Sequence, residues 1–148
     1  MITEPRIRHP RKYEDLFSLL SGNADSVFAS KAQVLLFAAA IGFKEGKRTA
    51  FSDKESLEPI RMATFEHLGR NFQTVLNTLA VAETKDTKIL SPDKFDERVL
   101  IFEEYACTGL EVLRLRIEGQ NSQLDSVINL ITEQQQEDDE ADDVFNYL

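Results

Sequence analysis

Apolar residues recur at helical spacing along most of the chain. Tyr13, Leu16, Phe17 and Leu20 form one stripe, which predicts a short amphipathic helix over 13–20 ended by Ser21-Gly22-Asn23. Ser30 and Gln33 have capping-box spacing, and from Ala32 to Phe43 only Gln33 and Gly42 interrupt the apolar run. A helix that is apolar all round needs cover all round, so residues 30–44 are expected to be the central core helix, with Gly46 as its stop. The pattern changes over 44–63. Ser52 to Glu55 repeats the capping-box spacing ahead of at most one turn, Pro59 interrupts, and Ile60-Arg61-Met62 reads as extended. A short strand pair is expected near 47–63.

Helical spacing resumes near Thr64 and continues through Phe72, Val75, Leu76, Leu79 and Ala82, with Thr84-Lys85-Asp86-Thr87 as a connecting turn. Ser91 suits a cap, Pro92 the first helical position, and Asp93 the positive end of the helix dipole. Phe95, Val99, Phe102, Ala106, Leu110, Leu113 and Ile117 then recur at intervals of three and four, predicting a long helix to about Glu118. Gly109 inside it is expected to mark a close helix contact. After Gly119-Gln120-Asn121 a last helix is expected, capped by Ser122 with Asp125 three residues on, and with Leu124, Val127, Ile128 and Ile131 inward. From Glu133 the chain is acidic and of low complexity, expected to be disordered. The expected architecture is all-α: a basic arm over 1–12, a single domain of about five helices over 13–132 around one apolar central helix, and an acidic tail over 133–148.

With 148 residues and 42% hydrophobic side chains, the chain can bury one core. Its formal net charge is -9, which argues against a generally basic nucleic-acid binder. The charge is unevenly spread. Arg6, Arg8, Arg11 and Lys12 face one acid, Glu4, in the arm; Glu133, Glu137, Asp138, Asp139, Glu140, Asp142 and Asp143 have no base among them in the tail. The body between is only mildly acidic. The only cysteine, Cys107, excludes an intramolecular disulfide and a cysteine-based zinc cluster within one chain. The longest apolar run, Val34 to Ile41, is far short of the roughly twenty residues that span a membrane. The charged N-terminus lacks a secretory apolar stretch, so a cytoplasmic protein without a membrane partner is expected.

Candidate chemistry is sparse. His9 sits between Arg8 and Pro10 in the arm with nothing to position it, and His67 follows Glu66 without a metal-ligand spacing. Cys107, among apolar neighbours, reads as buried and inert. Glu97, Glu104 and Glu111 fall seven apart on the long helix with Glu103 adjacent. A helical two-metal site also wants histidines three residues after glutamates, so these carboxylates read as a solvated acidic face. None of the six glycines belongs to a phosphate-cradling motif. No catalytic residue, metal or cofactor is expected.

Three features suit binding. The basic arm, Arg6, Arg8, Arg11 and Lys12, could contact phosphates or an acidic surface, or serve only as a solubilising terminus. Lys44, Lys47 and Arg48 form a basic corner after the core helix, either a DNA contact or charges stabilising the negative helix end. The tail closes with Asp142, Asp143, Val144, Phe145, Tyr147 and Leu148, acids that would steer and apolar groups that would anchor a docking peptide.

Val34-Leu-Leu-Phe-Ala-Ala-Ala-Ile-Gly-Phe-Lys-Glu-Gly-Lys-Arg48, with Glu58-Pro-Ile-Arg61 and the run from Asn77 to Leu90, resembles the small proteins associated with bacterial DNA phosphorothioation (Dnd) gene clusters. The similarity covers about residues 13–118 and is strongest from Phe37 to Arg48. It extends distantly to the DndE-type subunit, a small helical protein proposed to bind nicked DNA through lysines; that likeness implies a DNA-contact role for Lys44, Lys47 and Arg48. The resemblance implies membership of an anti-phage modification or restriction system. The expected function is therefore a non-enzymatic accessory subunit that docks to a larger protein. A DNA-binding subunit and an acidic DNA mimic are the alternatives, and self-association through the long helix stays open.

Overall fold

The computed structural model describes residues 5–68, 72–118 and 127–133. Its main elements are β1 (Arg6–Ile7), α1 (Glu14–Ser21), α2 (Lys31–Glu45), β2 (Ile60–Arg61), α3 (Met62–Leu68), α4 (Phe72–Thr84) and α5 (Phe95–Glu118), and residues 127–133 are also helical. The chain divides into two compact units, Met1–Val112 and Leu113–Leu148. The fold is the expected helical one, and the described residues include one small antiparallel sheet, one strand of which lies in the stretch where a strand pair was expected.

Local chemistry accounts for the helix ends. Ser30 Oγ accepts the Gln33 N–H at 3.3 Å, and Gln33 Oε1 accepts the Ala29 N–H at 2.7 Å, so α2 begins where the capping-box spacing places it. It ends at Gly46, whose φ of 70° is left-handed. Asp86 Oδ1 accepts the Lys88 N–H at 2.9 Å and opens a 3-10 turn over Thr87–Leu90. Ser91 and Pro92 lead first into another such turn, Pro92–Lys94, and α5 starts only at Phe95. Buried Arg98 reaches back from α5 and donates to the carbonyls of Ile89 and Ser91 at 2.6 and 2.9 Å, tying the short turns to the start of the helix.

The core of the first unit is built on α5. Val99, Phe102, Ala106 and Leu110 are buried as the stripe requires, and Phe102 meets Phe65 of α3 and Phe72 of α4 edge-on at 6.0 and 5.4 Å. Phe65 and Phe72 stack at 4.8 Å. The helices α2 and α5 touch through backbone at two points. A Cβ at Gly109 would run into the carbonyl of Ala38, and one at Gly42 into the carbonyl of Tyr105. The close contact expected at Gly109 is thus present, and Gly42 is its reciprocal partner. Approach this tight encloses α5 so thoroughly that nine of the ten residues from Ile101 to Leu110 are buried, all but Glu104. On α2, by contrast, Ala40 and Phe43 remain exposed, the second by 42%. The small alanine costs little in water, and Phe43 still packs edge-on against Tyr105 at 5.7 Å.

The sheet pairs Arg6 with Arg61 and Ile7 with Ile60. The second strand falls inside the stretch expected to be extended, but its partner comes from the N-terminal segment rather than from 47–63. Pro10 bridges to Ser56, and Leu57 N–H donates to the His9 carbonyl at 2.9 Å, which carries the pairing onward. Residues 5–10 are therefore built into the first unit, with Ile7, His9 and Pro10 buried.

Candidate functional site

Four of the basic residues singled out in the sequence, Arg6, Arg8, Arg11 and Arg48, are held by carboxylates or carbonyls of the first unit. Arg8 is the clearest case. Its backbone N–H donates to Glu103 Oε2 at 2.5 Å, its Nε and Nη2 to Glu103 Oε1 at 3.1 and 3.0 Å, and its Nη1 to Asp53 Oδ1 at 2.8 Å. The guanidinium also lies 4.6 Å from the centroid of the Phe51 ring. Glu103 is 3% exposed. Burial pushes its carboxyl up, and the Arg8 donors pull the other way. Burial likewise works against the Arg8 charge, but Glu103 and then Asp53 outweigh it and its pKa rises. The carboxylates of α5 are thus not one solvated face: Glu97 and Glu111 are exposed, while Glu103 is internal.

Arg48 is held in the same way. Its Nε and Nη2 reach Glu104 Oε1 at 2.9 and 2.7 Å, and its Nη1 reaches Glu83 Oε1 at 3.1 Å. The other oxygen of Glu83 accepts a hydrogen bond from the Tyr105 hydroxyl. That hydrogen bond, followed by the Arg48 contacts, holds Glu83 below the usual carboxylate range. Burial and the Glu83 acceptor push Tyr105 up to about 12. Beside this network Thr49 Oγ1 and Thr108 Oγ1 are 2.7 Å apart. Two acids therefore neutralise one member of the basic corner.

The remaining basic residues are nearer solvent. Arg6 pairs with Glu58 at 3.1 Å across an exposed surface, and Arg11 donates to the Ser56 carbonyl at 3.1 Å. Lys12 lies 5.2 Å from the Tyr13 ring centroid. Lys44 and Lys47 are exposed at the end of α2. Of the seven residues, Arg8 and Arg48 direct their guanidiniums at carboxylates, Arg8 at buried Glu103 and exposed Asp53, and Arg48 at part-buried Glu104 and Glu83. Asp142, Asp143, Val144, Phe145, Tyr147 and Leu148 lie outside the described residues.

His9 corrects the expectation that nothing positions it. It is 1% exposed and meets the Phe17 ring edge-on at 5.1 Å. Burial first, then the Lys31 charge, lowers its pKa to about 4, and neither buried ring nitrogen finds a hydrogen-bond partner among the described residues. The missed signal is a period of two, since Ile7 and His9 share the inward face of an extended segment. His67 is exposed on α3. Cys107 is buried, and burial pushes its thiol up to about 11, the setting of an unreactive cysteine. Among the described residues no group of three or more His, Cys, Asp or Glu is placed to hold a metal, and no helix is long and apolar enough to cross a membrane.

Sequence reasoning also missed an uncharged surface on α4. Phe72, Leu76, Leu79 and Ala80 face inward, which leaves Val75 and Ala82 outward. Gln73, Thr74, Val75, Thr78 and Ala82 are exposed and none is charged. Asn77, Thr78, Val81, Ala82 and Leu90 line a shallow groove of about 390 Å³ on this side, and Val75 and Leu90 are 37% and 42% exposed. In a chain with 29% charged residues such a face is unusual.

Comparison with known proteins gives one positive result. No curated protein and no solved structure matches the chain. The family model described as DNA sulphur modification system-associated protein 4 matches residues 6–147, nearly the whole chain, and the protein belongs to that family.

Proposed function

We propose that the protein is a non-enzymatic adaptor of a DNA sulphur modification system that works by docking to a larger protein of that system. Family membership supports the system. The observation that favours docking over chemistry or DNA contact is the division of the surface: Arg8 and Arg48 are engaged by Glu103, Asp53, Glu83 and Glu104, whereas α4 offers an uncharged, partly apolar outward face. Interfaces with proteins are depleted of charge at their centre, and interfaces with DNA need cations directed outward. The tail from 134 to 148, acidic and then apolar, is the second proposed contact.

A direct DNA contact is the second reading, favoured by exposed Lys44 and Lys47 beside Arg48. Fluorescence anisotropy with a labelled duplex at physiological salt separates the two. The adaptor reading expects no saturable binding, and co-purification with another protein of the system that weakens when residues 134–148 are deleted. Saturable duplex binding that Lys44→Gln and Lys47→Gln abolish, without any such co-purification, would favour the DNA-binding subunit instead. If the tail were a DNA mimic, its deletion would release DNA binding by the partner rather than weaken the complex.

A further inference from the structure

The helix over 127–133 carries two apolar stripes, and one of them is uncovered. Val127 and Leu130 are 3% and 5% exposed, whereas Ile128 and Ile131, both expected inward, stand 47% and 42% exposed. They lie three positions apart, on one helix face. Leu115, in the stretch of α5 that belongs to the same unit, is 67% exposed. Arg116 beside it donates to both oxygens of Glu133 at 2.9 Å, which brings this end of α5 next to the end of the helix.

Physical size narrows what covers the stripe. Even with Leu115 counted in, the exposed apolar surface is on the order of 300 Å², well under the roughly 800 Å² per side that a stable complex between separate chains buries. A segment tethered beside the stripe needs far less, because a short link holds it at a millimolar effective concentration. The chain supplies such a segment. Ten residues, 134–143, follow Glu133, and all but Ala141 are Gln, Glu or Asp. Val144, Phe145, Tyr147 and Leu148 lie just beyond them. A link of ten residues reaches up to about 33 Å, whereas Ile128 stands only about 7.5 Å from Glu133 along the helix. The link itself is too polar to cover the isoleucines.

We infer that Ile128 and Ile131 are the docking face for the chain's own tail, covered by Val144, Phe145, Tyr147 and Leu148 while the acidic link stays in water. The same apolar group is the tail's anchor in the adaptor reading, so a partner that takes it must first displace it from this helix. The inference does not rest on that reading, and its test contains no partner protein.

Tyr147→Trp places the only tryptophan of the chain in the segment concerned. In the full chain its fluorescence is expected to the blue of the same residue in the urea-unfolded protein, at every protein concentration. Ile128→Glu and Ile131→Glu, both at exposed positions, should each return the emission toward the unfolded value while circular dichroism keeps the helical content. With Tyr147 retained, deleting 144–148 should shift the Ile128 and Ile131 methyl resonances and leave those of Ile7 and Ile89, buried in the first unit, in place. An emission equal to that of the unfolded chain, an emission that neither substitution changes, or unmoved Ile128 and Ile131 methyls would each overturn the inference. A blue shift that appears only as concentration rises would overturn it too, by making the occupant a second copy.

Discussion

Arg8 and Glu103, 95 positions apart, meet through three hydrogen bonds, one from the backbone N–H and two from the guanidinium. This pair ties the N-terminal segment to the enclosed middle of α5. With Glu103 at 3% exposure, removing either partner strands a charge in a poorly solvated place. Glu103→Ala should cost about 3 kcal/mol in urea unfolding, at the lower end for a broken buried pair. Arg8→Met with Glu103→Leu should cost less than Glu103→Ala alone, because no unpaired charge is left behind. Equal losses would mean that the charge balance is not what holds the segment.

His9 should make stability depend on acid. Its folded pKa of about 4 lies below the ordinary value of 6.5, so the unfolded chain binds its proton first. Stability from this group is complete above about pH 6.5 and is lost as pH falls toward 4, by about 3 kcal/mol at most. Since carboxylates also titrate in this range, the informative quantity is the difference from His9→Leu, whose stability should fall less steeply between these pH values. Parallel profiles for the two proteins would remove His9 from the account.

Gly109→Ala should invert the usual propensity rule. In an open helix alanine would stabilise by about 1 kcal/mol. Here its Cβ meets the Ala38 carbonyl, so the variant should lose about 3 kcal/mol or fail to fold. Thermal unfolding distinguishes the two signs at once.

These examples mark how much was legible in the chain. The α5 stripe, the Ser30 cap and the contact at Gly109 depend on neighbours in sequence or on a single missing side chain, and each was readable. The partners of Arg8 and Arg48 were not, because Glu103, Glu104 and Glu83 arrive from distant elements and look in the sequence like any solvated acid. Helical spacing on α4 is kept by Val75 and Ala82 as well as by Phe72, Leu76 and Leu79, and only packing against Phe65 and Phe102 decides which of them face inward. His9 was missed because a two-residue strand is too short for its alternation to stand out.

Tyr105 gives the second ion network a spectroscopic signature. With its pKa pushed up to about 12 by burial and then by Glu83, it should ionise only in strong alkali. Glu83→Gln should lower that midpoint, followed by phenolate absorbance, and should destabilise the fold by about 1–2 kcal/mol. An unchanged midpoint would mean that the hydroxyl does not depend on Glu83.

The outward face of α4 should tolerate charge in the free protein. Val75→Glu and Ala82→Glu are surface changes, expected within about 0.5 kcal/mol of the parent. Each should nevertheless weaken association with the partner by about tenfold or more, since a buried unpaired carboxylate at an interface is costly. Loss of folding in either variant would show that the face is structural instead.

The central claim is protein docking without DNA, and the mass of the complex tests it most directly. The full chain would be co-expressed with the other proteins of the modification system, treated with nuclease, and sized by light scattering at physiological salt. The account predicts a complex of fixed stoichiometry that survives nuclease and is weakened by Ala82→Glu. Elution of the chain free of those proteins, or a complex that nuclease dissolves, would contradict it.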